Sequence, residues 1–582
     1  MTAKNGHANI QYPMVTYSDG VTAQQSSSAE FQLLIQAISN CAVPLVHQLI
    51  QQNPKIIHEK GWHGQTALHK ACLIGDQTLC YLLLEAGSDP NALNDFDETP
   101  LHYACKRGVP TVVNLLIQKG GNLDAVDKNG MSMCHHAAQT GSVYTLIYLY
   151  TLRSEYHHVN KQFQLPLHIA CQFGHVDAFK FLLKKEKTEL KQMDLDGNNV
   201  LHIAAKEGHQ VLCWDILKAG GCQLLHEKNK EGYTPADLAS QRDKYGHKEI
   251  APILQDLIKH KPKDYIVKDP WLTWFWLLAK PFVLYALLLI LIFVINLKYP
   301  GIQGYIMLVG GVYIVWRIVN NTHRINHVSR MPNPTFAGAF AAGLLHTTIC
   351  YLFHLVPDLT DQMMLLVLSL VMLIAVNYFY YVLLRRNPGR VRQSMIDPET
   401  RRPMTIGDLC VPQKKMEEFC TVCEIVKPLR TKHCKLCEEC YNDMDHHCLF
   451  LLKCVASNNH VLFVWFLILC VASMVLFLIN VGIVMSPTFM EDGFKNTLSV
   501  MFFEDAWMLS VVIANMFSVF WGVNLIRFQL QLVSKGQLTA IQNLTKRESG
   551  LTSNDKLWNT VNFLMGKPPY AKDPLLAAQH LL

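Results

Sequence analysis

The 582-residue sequence has little excess charge of either sign, 52 lysines and arginines against 46 aspartates and glutamates. That balance makes no electrostatic case for a nucleic-acid partner. The N-terminus lacks the basic stretch and apolar run of a secretory signal, and the first 265 residues are poor in the long apolar runs that crowd the rest. Soluble and membrane-embedded parts are therefore expected in one chain. Eight of the 18 cysteines lie between Cys410 and Cys454. Without an export signal this points to a reducing, cytosolic face, where clustered cysteines bind metal or react and do not form disulfides.

Residues 1 to 28 show no apolar periodicity and are expected to be a disordered tail. A register then begins. Gln65-Thr66-Ala67-Leu68-His69, Glu98-Thr99-Pro100-Leu101-His102, Met131-Ser132-Met133-Cys134-His135 and Gln164-Leu165-Pro166-Leu167-His168 recur every 33 residues, with later copies near Asn199 and Thr234. Period and pattern resemble ankyrin repeats. A glycine at 75, 108, 141, 174 and 208 marks the turn between two short helices. One repeat cannot bury its apolar face alone, so six or seven are expected to stack over residues 29 to 260 and to present a concave surface to protein partners. The histidines at 69, 102, 135, 168 and 202 come one per repeat, roughly 10 Å apart along a stack. They are too far apart to share an ion and are expected to hydrogen-bond the turns.

Six apolar stretches follow, near 282–297, 305–319, 336–355, 363–384, 461–485 and 506–526, several of them reaching the roughly 20 residues that cross a bilayer. Arg317, Arg324 and Arg330 lie between the second and third, and Arg385, Arg386, Arg390 and Arg392 follow the fourth. By contrast, Asp358 and Asp361 lie between the third and fourth, and Glu491, Asp492, Glu504 and Asp505 follow the fifth. Positive charge on the cytosolic side puts both termini in the cytosol. Trp271, Trp274 and Trp276 stand where an interfacial anchor would. His346, His354 and Asn377, polar groups inside these stretches, are expected to satisfy neighbouring helices.

Between the fourth and fifth stretches, 35 residues hold seven cysteines, at 420, 423, 434, 437, 440, 448 and 454, and three histidines, at 433, 446 and 447. Two closed tetrahedral zinc sites use eight such ligands. Two side chains are left over, and a spare Cys beside a spare His is a nucleophile next to a base.

Asp445-His446-His447-Cys448 in this setting resembles the motif of the zinc-dependent DHHC palmitoyltransferases, and repeats followed by six spans resemble their huntingtin-interacting-protein-14 subgroup. The resemblance implies one Zn2+ on Cys420, Cys423, His433 and Cys440 and a second on Cys434, Cys437, His447 and Cys454. It also implies Cys448 as nucleophile, His446 as base and Asp445 as the group orienting that base. A long-chain acyl group, typically from palmitoyl-CoA, would pass through acyl-Cys448 to cysteines of cytosolic or membrane-associated proteins recruited by the repeats. A free thiol has a pKa of about 8.5, so a nucleophilic cysteine needs such a partner at neutral pH.

The implied architecture is all-α: a repeat solenoid, a six-helix polytopic membrane domain and a small zinc-bound loop domain. Its parts are a tail to residue 28, repeats over 29–260, spans one to four with linkers over 261–409, the cysteine-rich domain over 410–460, spans five and six over 461–527 and a cytosolic tail over 528–582. The subgroup resemblance also implies residence in the Golgi membrane.

The chain departs from the family pattern at Leu449-Phe450, where Pro-Trp is usual, and at Lys453 and Ala456 around Cys454. It departs again at Leu538-Thr539-Ala540-Ile541, where the family has Thr-Thr-x-Glu, and Asn562-Phe563 stands for a downstream Asn-Pro-Phe type element. Lys427, Arg430, Lys432, Lys435 and Lys453 are candidates for contacts to CoA phosphates. Two other readings use the same features. A cation channel would need a short link between spans four and five and a pore loop, and this sequence has neither. A membrane-anchored ankyrin scaffold with a purely structural zinc module would leave the spare Cys-His pair unexplained.

Overall fold

A computed structural model describes residues 28–152, 158–185, 189–241, 245–259, 275, 278–280, 283, 335–410, 415–503, 506–535 and 553–566. The tail to residue 27, Trp271, Trp274, Trp276, the stretches 284–297 and 305–319, and Leu538 to Ile541 lie outside the described residues. The chain divides into two compact units, Met1–Gly197 and Asn198–Leu582.

Among its described residues the first unit holds five helix pairs, beginning with Ala29–Ser39 and Val43–Gln52 and ending with Pro166–Phe173 and Val176–Lys185. The second unit opens with two more, Val200–Glu207 with Gln210–Lys218 and Pro235–Ser240 with Tyr245–Lys259. Helices this short do not persist alone in water, so stacking supplies their stability. Their ends are cut sharply. Pro100 and Pro166 sit in the first turn of their helices, where a missing N–H costs nothing. At the other end Gly141 turns the chain with φ 71°, and a Cβ there would lie 2.5 Å from the His175 ring.

The recurring histidines join repeat to repeat. His69 Nδ1 accepts the Thr66 backbone N–H at 3.2 Å, which places the ring proton on Nε2, and Nε2 reaches the Glu98 carbonyl one repeat later at 3.0 Å. His135 bonds the Gln164 carbonyl at 2.9 Å and His168 that of Gln192 at 3.0 Å. In the second unit His202 does the same to Tyr233 at 3.1 Å. His102 differs: its buried Nε2 has no hydrogen-bond partner among the described residues, and its ring stands edge-on to His136.

Among the described residues, the longer helices in the rest of the second unit are α1 Thr335–Cys350, α2 Met363–Arg385, α3 His460–Phe503, α4 Ala506–Ser534 and α5 Ser553–Leu564. Among the described residues, four segments are long and apolar enough to cross a membrane: Ala337–Asp358, Met363–Arg385, His460–Glu491 and Met508–Ser534. They coincide with the last four apolar stretches of the sequence. Met364, Ile374, Phe517 and Phe520 point away from the protein, as lipid-facing residues do. Interhelical hydrogen bonds join the inner faces, Asn480 to Ser369 at 2.8 Å and Asn515 to Thr347 at 3.0 Å. Asn377 donates to the Leu373 carbonyl of its own helix at 2.9 Å.

Between α2 and α3 the all-α expectation fails. Seven short strands form there: β1 Arg390–Val391, β2 Phe419–Cys420, β3 Ile425–Val426, β4 Thr431–Cys434, β5 Glu439–Asn442, β6 His446–Cys448 and β7 Lys453–Val455. Their order is β1-β5-β4 in one antiparallel sheet, with β2-β3 and β6-β7 as separate hairpins. Strands of two to four residues bury too little to fold by themselves. Their purpose is to set side chains opposite one another.

Burial holds His102 down to about 3 and His135 down to about 4. The unfolded chain takes up protons as pH falls through about 6.5, whereas the folded rings stay neutral until about 4 and about 3. Stability present above pH 6.5 is therefore lost as pH falls through that window. Thermal melting of the full chain in detergent, followed by helical circular dichroism, should show the repeats unfolding earlier at about pH 5 than at about pH 7.5. Equal midpoints would contradict the burial argument.

Candidate active site and metal centres

The cysteine-rich segment is one device used twice. His433 lies directly across from Cys440 in β4-β5, and His447 lies directly across from Cys454 in β6-β7. Cross-strand neighbours are close enough to share an ion. Each pair is completed by a Cys-x-x-Cys turn, Cys420 and Cys423 for the first and Cys434 and Cys437 for the second. In both turns the next residue swings into the left-handed region, Glu424 with φ 57° and Glu438 with φ 55°. Fourteen residues separate corresponding members: 420 from 434, 423 from 437, 433 from 447 and 440 from 454. That internal period was available in the sequence and would have paired the ligands without reference to any family.

The donor atoms of each foursome lie within 4.8 Å of one another. His433 Nδ1 is 3.4 Å from the sulfurs of Cys420 and Cys423 and 3.8 Å from that of Cys440. His447 Nδ1 is 3.6 Å from Cys434, 3.3 Å from Cys437 and 3.8 Å from Cys454. A tetrahedral zinc with bonds of about 2.0–2.3 Å separates its donors by about 3.5–3.8 Å. Three sulfurs and one imidazole at these spacings fit zinc twice.

Successive residues of a strand face opposite ways. His447 therefore turns toward the second cysteine group, while His446 and Cys448 turn to the other side, where the helices are. Cys448 is buried against Val376 and Leu383 of α2, Phe463, Val464 and Phe466 of α3 and Val533 of α4. The His446 ring packs on Phe463, and its Nδ1 bonds Asp445 Oδ2 at 2.7 Å. Asp445 is fully buried and takes a second hydrogen bond on the same oxygen, from Gln529 Nε2 of α4 at 3.1 Å. Gln529 Oε1 in turn lies 2.9 Å from His460 Nε2. Burial works against charge on His446, but hydrogen bonds with Asp445 and Cys448 outweigh it and lift the imidazole to about 9.

Two contacts seat this hairpin on the helices. Lys453 Nζ donates to the Leu384 and Arg386 carbonyls at 2.7 and 2.9 Å, capping the end of α2. Asn459 bonds the Ala456 N–H and the Cys454 carbonyl, fixing the entry into α3. Lys453 is thus already committed to a helix end, and Arg430 is paired with Asp443 at 2.6 Å. Of the five basic residues considered for CoA phosphates, these two are turned inward. Phe450 enters an aromatic group with Phe340 and Trp521 next to Cys448. Gln529 and His460 escaped the sequence reading because they stand just outside the apolar stretches 506–526 and 461–485.

Residues 413–547 match the DHHC palmitoyltransferase family, and ankyrin repeats match across residues 33–265. The chain carries a DHHC palmitoyltransferase domain behind ankyrin repeats. Among curated relatives, Palmitoyltransferase akr1 of Emericella nidulans is 33% identical over 147 residues, 25% of this chain and 20% of that protein. Human Palmitoyltransferase ZDHHC17 is 27% identical over 168 residues, 28% and 26% of the respective chains. Palmitoyltransferase ZDHHC13 of Pongo abelii is 29% identical over 180 residues, 30% and 28%. The chain thus spans between a fifth and three tenths of the length of these three relatives. The crystal structure of a human ASB11 ankyrin repeat domain aligns with TM-score 0.34 and 24% identity over 38% of this chain and 96% of that one.

Proposed function

We propose that the chain is an integral-membrane protein S-acyltransferase that moves a long-chain acyl group from acyl-CoA to cysteine thiols of client proteins. One observation carries the reading: Cys448 falls outside both four-donor groups and shares a strand face with an imidazole held by Asp445. A pure zinc scaffold has no use for that arrangement.

In this reading Cys420, Cys423, His433 and Cys440 would hold one zinc, and Cys434, Cys437, His447 and Cys454 the other. Closed by four protein ligands, such ions supply folding energy and have no position for activating water. His446 accepts the Cys448 proton while Asp445 steadies the imidazolium. The Cys448 sulfur attacks the thioester carbonyl, the carbon–sulfur bond to CoA breaks, and CoA leaves as a thiol after taking the proton. A client thiol then gives its proton to His446 and attacks the carbonyl of acyl-Cys448; the carbon–sulfur bond to Cys448 breaks, and the released Cys448 sulfur takes the proton back. Two successive thioester exchanges make the kinetics ping-pong. The acyl chain lies among the helices that surround Cys448, where each buried methylene contributes about 0.8 kcal/mol. The aromatic group around Phe450 takes the place of the family's Trp in lining it.

The ankyrin repeats are proposed to recruit cytosolic or membrane-associated clients, with the parts of the chain divided as the sequence suggests. Six spans with both termini in the cytosol complete the proposal, supported by the basic loops after spans two and four. A Golgi membrane rests on the subgroup resemblance alone.

Full-length protein and its Cys448→Ser variant, purified in detergent, should be incubated with tagged palmitoyl-CoA and examined by in-gel detection. The parent should carry a hydroxylamine-sensitive label that Cys448→Ser lacks; no label on either would defeat the enzyme reading. Metal analysis separates the roles of the cysteines. Cys448→Ala should keep the parent's zinc content, whereas Cys434→Ala should lose zinc and solubility together, because structural zinc binding is folding free energy. A soluble, fully active Cys434→Ala protein would contradict the two-site scheme.

A further inference from the structure

Gln529 sits near the C-terminal end of α4, 84 positions from Asp445 in sequence, and is 1% exposed. Leu525, Leu530 and Val533 around it belong to the apolar cluster that also holds Cys448. A primary amide in such surroundings is costly unless both of its ends are bonded. Both are. A carboxylate only accepts, so the amide nitrogen faces Asp445 and the amide oxygen faces His460, whose proton must then be on Nε2. The His460 ring is covered by Phe563 of α5. One side chain of α4 therefore joins the head of α3 to the carboxylate that orients His446.

Asp445 Oδ2 receives Gln529 Nε2 at 3.1 Å and His446 Nδ1 at 2.7 Å. Two donors from different directions leave that oxygen one position. We propose that Gln529 is a positioning residue for the acyl-transfer reaction: it fixes the Asp445 carboxylate so that His446 presents its other nitrogen to Cys448. The inference rests on the proposed S-acyltransferase function. The hydrogen bonds of Gln529 go to Asp445 and His460, and it acts on the reaction through Asp445. Without its N–H the carboxylate loses a buried hydrogen bond that holds it against the imidazole.

The test uses full-length protein in detergent and the shape-matched Gln529→Met variant, which has no amide donor or acceptor. Two rates are read: formation of acyl-Cys448 as a function of palmitoyl-CoA concentration, and alkylation of Cys448 by iodoacetamide, followed on its own peptide by mass spectrometry. Loss of a hydrogen bond to a charged group should slow both by about 10-fold to 100-fold. Half-saturation by palmitoyl-CoA and zinc content should stay at the parent's values. In an Asp445→Asn background the same Gln529→Met change should slow alkylation no further, because the two residues act as one unit.

Should Gln529→Met lose zinc, Gln529→Asn, whose amide is one methylene short of the carboxylate, carries the same readouts. Unchanged alkylation in a zinc-replete variant, or an equal loss in both backgrounds, overturns the positioning role. Absence of any thioester on the parent defeats the acyltransferase reading instead, and the alkylation cycle still decides whether Gln529 acts through Asp445.

Discussion

The two-residue period of a β-strand is the constraint from which the rest of this site follows. In β6 it sends His447 toward one cysteine group and sends His446 and Cys448 the opposite way. Two adjacent histidines thereby enter unrelated chemistry, one beside three sulfurs and the other between a carboxylate and a thiol. A slip of one residue in the β6-β7 register would exchange those environments and ruin both. Strands this short do not hold a register by packing. The His447–Cys454 pair across the hairpin, tied into a four-donor group, does so instead.

The helices provide what the hairpin cannot. They bury Cys448 on an apolar face, and they bring polar atoms to the loop only where needed: backbone carbonyls of α2 for Lys453, Asn459 at the head of α3 and Gln529 from α4. The proposed nucleophile thus stands where the strand-bearing loop meets the apolar faces of the helices. A thioester that joins a charged nucleotide to a fatty chain needs that boundary.

The repeats were legible because each copy restates the same short pattern every 33 residues, so chance has little room. The four described spans were legible because hydropathy alone sets them, and their sequence limits fall within a few residues of the helices for α1 and α2, although α3 and α4 run on past Met485 and Ile526. The strands were not. Phe419–Cys420 or Lys453–Val455 is too short for any propensity to register, and opposing donors, not composition, hold them. The inward turn of Lys453 and Arg430 was hidden for another reason: a positive charge in a sequence does not say whether its partner is a phosphate, a carboxylate or a helix end. Gln529 and His460 meet only through tertiary packing, 69 positions apart, and nothing local announces it.

The fourteen-residue period has a third beat. Cys448 follows Cys434 by the same interval that separates Cys434 from Cys420, and Leu452 takes the left-handed conformation, φ 51°, that Glu424 and Glu438 take after their own Cys-x-x-Cys turns. A leucine pays a steric penalty there that a glycine would not, so the turn is retained against local preference. Leu451 stands where Cys423 and Cys437 would predict a second sulfur. The proposed nucleophile thus occupies the first position of an unfinished metal knuckle, one whose partner donor was never supplied. Reactivity at this site would then need no scaffold of its own: a turn shaped to present sulfur to an ion, with Leu451, Val461 and Ile468 at the other three donor positions of the period, would present it in the proposed function to a carbonyl carbon.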